Sequence, residues 1–287
     1  MTKENFFVPP GKAITLADFD PGSTSHFKDK SKAEAKLSKD LLRLEELQDL
    51  LYAQDNYGLL ILLQGMDTAG KDGVIKHVMS GVNPAGVQVV SFKQPSVDER
   101  SHSYLWRYYK DFPARGRIGI FNRSYYEEVL VVRVHPEVLE AERLPAPLAS
   151  EEIWKHRYED INAMERHLVR NGFVVLKFFL NLSKQEQKRR LLDRIDRPEK
   201  NWKYSAADLQ ERGFWDQYRT AYEEMLNHTS TEWAPWYVIP ADHKWFTHGA
   251  VAHFIISTLE SLKLSYPKLS KEQTAMLRQA KKLLHKS

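Results

Sequence analysis

Apolar residues along this chain fall into short continuous runs, separated by longer segments in which they recur at helical spacing. The runs predict strands at 58–64, 87–92, 117–121, 173–179 and 236–239. The helical spacing predicts helices at 29–55, 72–80, 101–111, 123–130, 151–171, 184–195, 206–226 and 247–263. Strands that alternate with helices are typical of βαβ units. The pattern therefore predicts an α/β fold of three layers, in which helices flank a parallel sheet of about five strands.

The two ends of the chain have different patterns. Residues 1–28 contain prolines and glycines but few periodic apolar positions, which predicts an irregular arm on the surface. Residues 268–287 are basic, and the spacing of their apolar residues predicts an amphipathic helix. Neither a repeat nor a linker interrupts the chain, so we expect a single domain over 1–287.

Composition narrows the class of protein. The chain has 287 residues, of which 42% are hydrophobic, and it has no cysteine, which excludes disulfides and thiolate metal sites. The longest apolar run, 59–63, is too short to cross a bilayer, and the N-terminus lacks the apolar core of a signal peptide. We therefore expect a cytoplasmic protein with no membrane partner. A net charge of +4 with local basic clusters favours a discrete anionic partner over nucleic acid.

The most informative segment follows the first predicted strand and opens a helix. Gly65, four further residues and then Gly70-Lys71 have the spacing of a phosphate-binding P-loop. Glycines let backbone N–H groups converge on phosphate oxygens, and the helix N-terminus and the lysine add positive charge. The alternative is an ordinary glycine-rich turn. The predicted phosphate-binding residues of this loop are Gly65, Ala69, Gly70, Lys71, Asp72 and Gly73.

Two carboxylates distinguish this loop from an ordinary P-loop. Asp72 stands where a Mg²⁺-binding Ser or Thr normally follows the lysine. Asp67 lies inside the loop, where it would bind the metal or orient the phosphate acceptor. The alternative for Asp67 is a turn or cap within the loop. For Asp72 we expect a favourable contact with the helix dipole rather than a metal ligand.

Three other regions supply candidate ligand-binding residues. Asn122 and Arg123 follow a predicted strand, at the edge where parallel sheets bind ligands, and Arg123 would point towards the phosphates. Arg190 and Arg194 share a helix face in a basic region, 184–215, that is typical of a mobile lid over polyanions. The alternatives are surface ion pairs for Arg123 and a solvated charged helix for the lid. Arg107 is a further candidate phosphate contact, with an ordinary surface arginine as its alternative.

Several ordered stretches together resemble the polyphosphate kinase type 2 family over most of the chain. They include the loop 65–76, residues 91–93 and 104–107, the long stretch Phe121–His135, and residues 177–180, 201–204 and 234–245. Asp72, Asn122 and the valine-rich run after Glu128 resemble the third class of the family. Other classes usually have Gly at the position of Asp72 and Asp at the position of Asn122.

The resemblance implies a thymidylate-kinase-like fold with a helical lid and a homo-oligomer, often a tetramer. It also implies reversible phosphoryl transfer from inorganic polyphosphate to AMP and ADP, with Mg²⁺ or Mn²⁺ as cofactor. Residue by residue, it makes Asp67 the metal-binding carboxylate, and Lys71 and Arg123 contacts to the transferred group. Arg190 and Arg194 would bind polyphosphate, and Phe92, Lys93 and Asn122 would lie at the nucleotide.

Two other functions remain open at this point. One is a nucleoside monophosphate kinase that uses ATP, which would share the fold and the loop. The other is a non-catalytic P-loop module that binds nucleic acid through the basic C-terminal segment.

Overall fold

The computed structural model describes residues 6–25 and 29–285. Residues 1–5 and 26–28 of the predicted arm, and the last two residues of the predicted C-terminal helix, lie outside this range. The five strands are β1 (Gly58–Gln64), β2 (Val87–Ser91), β3 (Ile118–Asn122), β4 (Phe173–Asn181) and β5 (Trp236–Pro240). They form one parallel sheet in the order β2-β3-β1-β4-β5. The prediction of a five-stranded parallel sheet is therefore confirmed.

The long helices are α1 (Lys30–Gln54), α2 (Lys71–Val78), α7 (Ile153–Arg170), α8 (Lys184–Asp196), α9 (Ala206–Gly213), α10 (Trp215–Thr229), α11 (Lys244–Ser261) and α12 (Lys271–Leu284). Four single-turn helices lie between them: α3 (Val97–Arg100), α4 (Trp106–Tyr109), α5 (Val131–Val134) and α6 (Pro136–Glu140). Short 3₁₀ turns occur at Leu16–Asp18, Pro84–Gly86, Tyr125–Val129, Ala146–Leu148 and Pro198–Lys203.

The hydrophobic core has two halves, one on each face of the sheet. Strand β1 shows the reason, because successive side chains of a strand point to opposite faces. Leu59 and Ile61 pack with α1, α2 and α11, whereas Leu60 and Leu62 pack with α7 and α10. All seven residues of β1 are buried. The three-layer arrangement expected from the sequence is therefore confirmed.

Some predicted helices differ from those observed. Only 106–109 of the predicted helix at 101–111 is helical, and turns occupy the residues on both sides of it. The predicted helix at 123–130 is a 3₁₀ turn. The predicted helix at 206–226 is two helices that meet at Phe214, directly after Gly213, a residue type that weakens helices.

The N-terminal arm is irregular, but the prediction that it lies on the surface is wrong for its first described part. Phe6 and Val8 are buried. The backbone N–H of Val8 donates to the Trp236 carbonyl at 3.0 Å, and that of Val238 donates to Phe6 at 2.7 Å. The arm thus covers the free edge of β5, where unpaired backbone groups would otherwise remain.

The predicted C-terminal helix is present as α12, and its apolar side chains are largely exposed. None of its side chains is buried, and Met276, Leu277, Leu283 and Leu284 are each more than half exposed. Within the described range, no helix combines the length and the apolar character that a membrane span requires.

Candidate active site

The loop between β1 and α2 has a backbone that requires glycine. Gly65 and Gly70 both have positive φ angles, 154° and 107°. A Cβ atom on Gly65 would lie 2.9 Å from the Leu180 carbonyl oxygen, so no other residue fits without a shift. Helix α2 begins directly after the loop, at Lys71. The unpaired N–H groups of its first turn therefore face the loop, as in an anion-binding site.

Lys71 is folded back over this loop. Its Nζ donates to the carbonyl oxygens of Gly65 at 2.6 Å and Met66 at 3.3 Å. Burial lowers the pKa of Lys71, and the nearby positive charge of Arg123 lowers it further. A phosphate bound beside this ammonium would stabilise its charged form.

Asp67 and Arg123 form an ion pair at the mouth of the loop. The Nη2 of Arg123 lies 3.3 Å from the Oδ1 of Asp67, and both side chains are partly exposed. Burial opposes the charge of Arg123, but Glu127 and Asp67 more than offset it and hold the pKa of the guanidinium above its ordinary value. The two residues follow neighbouring strands, β1 and β3, so the sheet order brings them together as expected for ligand-binding loops.

Asn122 contacts the other carboxylate of the loop. Its Nδ2 donates to Asp72 Oδ1 at 2.7 Å and lies 3.4 Å from the Ser91 hydroxyl. Asp72 is in the first turn of α2, where a carboxylate interacts favourably with the helix dipole. The unusual residues at positions 72 and 122 are thus direct partners, a contact that sequence reasoning did not foresee.

A cavity of about 480 Å³ opens from the loop. This volume is within the range of small-molecule sites, which is about 300–1,000 Å³. The predicted site residues that line it are Gly65, Asp67, Phe92, Lys93, Arg107 and Arg123. Residues of α5, α6 and the segment after them also line it, including Val131, Val138, Ala141 and Glu142.

Arg107 and Phe92 form part of the cavity wall and are almost fully buried. The Arg107 guanidinium lies over the Phe92 ring, 5.4 Å from its centroid. Its Nη2 donates to the Lys93 carbonyl at 2.8 Å, and its Nε lies 3.6 Å from a Glu99 oxygen. Arg107 is therefore no ordinary surface arginine, and its predicted phosphate contact stays a prediction.

The guanidinium of Arg190 supports the loop from the side of α8. It donates five hydrogen bonds. Their acceptors are the Glu186 carboxylate and the carbonyl oxygens of Thr68, Ala69, Ala241 and Asp242. Arg194 pairs with Asp208 of α9 at 3.1 Å. Both arginines thus bind protein groups here, and their predicted contacts to polyphosphate stay predictions.

Sequence reasoning missed several residues of the cavity. Glu127 lines the cavity and interacts electrostatically with both Arg123 and Lys71. Burial raises the pKa of Glu127, although both cations oppose that shift. Gln187 donates to the Asp67 carbonyl at 3.2 Å. The only sequence signal that could have identified Glu127 was its position four residues after Arg123. No sequence signal identified Gln187.

Glu128 is a second missed carboxylate. It is 7% exposed, lines the cavity and accepts a hydrogen bond from the Tyr108 hydroxyl at 2.8 Å. Burial raises the pKa of Glu128 to about 7, against the opposing charge of Arg157.

This shift predicts a pH-dependent effect of Glu128→Gln on stability. The folded state holds the Glu128 proton more tightly than the unfolded state does. The wild type therefore loses stability as the pH rises from the ordinary carboxyl pKa through about 7, and glutamine removes this loss. Between pH 5 and pH 8 we expect the free energy of unfolding of the variant to rise relative to wild type by roughly 2 kcal/mol. Urea unfolding at both pH values measures it.

Glu45→Gln, at an exposed position of α1, is the matched control for this experiment, and the rise for Glu128→Gln should be well above any change that the control shows. A pH-independent difference for Glu128→Gln would contradict the raised pKa.

The donor set of the loop suits a hard divalent cation. Asp67 carries the carboxylate oxygens that Mg²⁺ prefers, and Mg²⁺ usually takes only one or two carboxylates together with phosphates and waters. Over residues 6–25 and 29–285 no group of three or more acidic or histidine side chains could hold a metal by itself. The residues therefore fit a cation that is bound together with a phosphorylated substrate.

Comparisons with known proteins agree with this geometry. The model of the polyphosphate kinase 2 (PPK2) family matches residues 27–267. A protein of Rhodopseudomonas palustris named ADP-polyphosphate phosphotransferase is 48% identical over 99% of this chain and 98% of its own length. A Meiothermus ruber protein named AMP/ADP-polyphosphate phosphotransferase is 44% identical over 92% of this chain and 95% of its own.

A solved structure extends the likeness to the fold. The crystal structure of polyphosphate kinase 2 from Arthrobacter aurescens superimposes with a TM-score of 0.88, at 39% identity. The superposition covers 100% of this chain and 98% of the other. Together with the loop and the cavity, these matches show that the chain belongs to the polyphosphate kinase 2 family.

Proposed function

We propose that this protein is a kinase that transfers a phosphoryl group from inorganic polyphosphate to AMP and to ADP, forming ADP and ATP. The observation that carries the proposal is the phosphate loop with Lys71 folded over it and the Asp67–Arg123 pair at its mouth. The name of the Rhodopseudomonas palustris relative specifies polyphosphate and ADP, and that of the Meiothermus ruber relative specifies polyphosphate with both AMP and ADP.

We further propose direct, reversible, in-line transfer with no covalent enzyme intermediate. The terminal phosphate of AMP or ADP is already ionised at neutral pH, so it needs no strong general base. Catalysis then rests on positioning and on neutralising charge, as in other phosphoryl transfers. Lys71, Arg123 and the N–H groups of α2 bind the transferred group, and Asp67 orients the acceptor. The cavity beyond the loop receives the nucleotide.

Mg²⁺ or Mn²⁺ is the proposed cofactor, with Asp67 as its protein ligand. When bound, such an ion neutralises phosphate charge. Asn122 holds the Asp72 carboxylate through its hydrogen bond and so fixes the position of one oxygen.

A donor comparison tests this function against its nearest alternative, an ATP-dependent nucleoside monophosphate kinase. With AMP as acceptor, polyphosphate and ATP are supplied separately and ADP is measured. We expect ADP from polyphosphate. ADP that forms with ATP as the donor, but not with polyphosphate, would favour the monophosphate kinase.

The assembly and location of the protein are also proposals. We propose a cytoplasmic homotetramer, as the family resemblance implies. The exposed apolar side chains of Met276, Leu277 and Leu283 on α12 would suit a subunit contact. We assign α12 no nucleic-acid role, since an amphipathic helix accounts for its apolar and basic residues. Light scattering at several protein concentrations measures the number of subunits.

A further inference from the structure

A fully buried ion pair lies beneath the segment that carries Arg123. Lys177 of β4 and Glu165 of α7 are both 0% exposed, and their charged atoms are 2.6 Å apart. Lys177 also donates to the Tyr126 hydroxyl at 2.9 Å and to the Thr229 carbonyl at 2.7 Å. All three protons of the ammonium therefore have acceptors.

The same pair holds the turn that follows Arg123. The hydroxyls of Tyr125 and Tyr126 both donate to Glu165 Oε1 at 2.8 Å. These tyrosines are the first two residues of the 3₁₀ turn Tyr125–Val129 and are fully buried. The charged pair thus fixes the position of this turn relative to β4 and α7.

Stability alone is a weak reason for such a pair. Two buried charges lose their hydration, and well-packed apolar residues of similar size often stabilise a fold at least as well. A buried charged network does, however, fix one geometry, because every donor must meet its acceptor.

The residue whose geometry needs fixing is Arg123. Its φ angle is 64°, in the left-handed region that residues with a Cβ rarely adopt. Its backbone N–H donates to Leu63 of β1 at 3.2 Å, and the next residue, Ser124, accepts a hydrogen bond from Gln64 at 3.1 Å. These contacts anchor Arg123 and Ser124 to β1. The buried hydroxyls of Tyr125 and Tyr126 anchor the next two residues to Glu165 of α7.

We propose that Lys177 and Glu165 are positioning residues that hold Arg123 in its productive conformation through the hydroxyls of Tyr125 and Tyr126. This inference rests on the proposed role of Arg123 in phosphoryl transfer. Neither charge lines the cavity, so neither residue touches substrate.

Two variants of the network test this role. Tyr126→Phe removes one hydroxyl and leaves the ion pair in place. The double variant Lys177→Met/Glu165→Leu removes both charges together, so that no unpaired charge remains buried. Each is assayed for ATP formation from ADP and long-chain polyphosphate, and urea unfolding shows that it is folded. Tyr158→Phe is the matched control, because its buried hydroxyl bonds Arg133 at 3.1 Å, away from Arg123.

The decisive measurement repeats these substitutions in an Arg123→Ala background. A double-mutant cycle isolates the part of each effect that passes through Arg123. With Arg123 present, we expect Tyr126→Phe and the double variant to lower kcat by about fivefold, with the KM for ADP within about twofold of wild type. In the Arg123→Ala background the same substitutions should lower kcat by less than about twofold.

Equal losses in both backgrounds, or no loss where Arg123 is present, would overturn the positioning role. Those results differ from a failure of the proposed function, in which the wild type itself would make no ATP from polyphosphate.

Discussion

Replacing Lys71 by methionine should lower kcat for polyphosphate-dependent ATP formation by at least about tenfold, or roughly 1.4 kcal/mol of transition-state stabilisation. If Lys71 contributes as much as one donor of an oxyanion hole, the loss reaches about 100-fold. The reason is the position of Lys71, which is 9% exposed and whose ammonium contacts the Gly65 carbonyl oxygen at 2.6 Å. Methionine keeps the apolar stem and removes the charge. Steady-state kinetics with ADP and polyphosphate measure the effect.

Lys76→Met is the matched control for this prediction, since Lys76 lies on the same helix and is exposed. It should leave kcat close to wild type. A folded Lys71→Met protein with nearly normal turnover would show that the loop is not the phosphate cradle.

Replacing Asp67 by asparagine should also lower activity at least about tenfold and should weaken the binding of divalent cations. Asparagine keeps the size of the side chain but removes the charge that suits a hard cation and that pairs with Arg123. The readouts are the Mg²⁺ concentration at half-maximal activity and, separately, Mn²⁺ binding followed by electron paramagnetic resonance in the presence of ADP.

The two readouts separate the roles of Asp67. If it is a metal ligand, both the Mg²⁺ requirement and the Mn²⁺ dissociation constant rise. Unchanged cation binding with lower turnover would contradict the metal role and leave only the pairing with Arg123. Asp49→Asn, at an exposed position of α1, should change neither value.

Where the sequence predicted the fold correctly, one physical signal dominated. The run at 58–64 is apolar at every position but its two ends, and the strand has the same bounds. A central strand must be buried on both faces, so its composition alone identifies it. The loop between β1 and α2 was also predicted from its sequence, because the positive φ angles of Gly65 and Gly70 explain why glycine stands at those positions.

The sequence showed no sign of several contacts between residues that are distant along the chain. Phe6 and Val8 are too few to show a period, yet they are buried because the free edge of β5 needs partners. Arg190 belongs to a helix full of charges, and nothing in its spacing indicates that its acceptors are loop carbonyls some 120 residues earlier.

In the candidate site, too, residues in local motifs were predicted and residues that depend on distant contacts were missed. Asp67, Lys71 and Arg123 were predicted from motifs, and the fold brings them to one edge of the sheet. Glu128 was missed because its unusual pKa arises from burial, which depends on side chains from α4 and α7 that only the folded chain brings together.

The most direct test of the proposed function follows AMP, long-chain polyphosphate and Mg²⁺ over time, with no other phosphate donor present. We expect ADP to appear first and ATP to follow as ADP accumulates, because one site would accept both nucleotides. No product from either AMP or ADP, by a folded protein that phosphorylates AMP when ATP is the donor, would contradict the account.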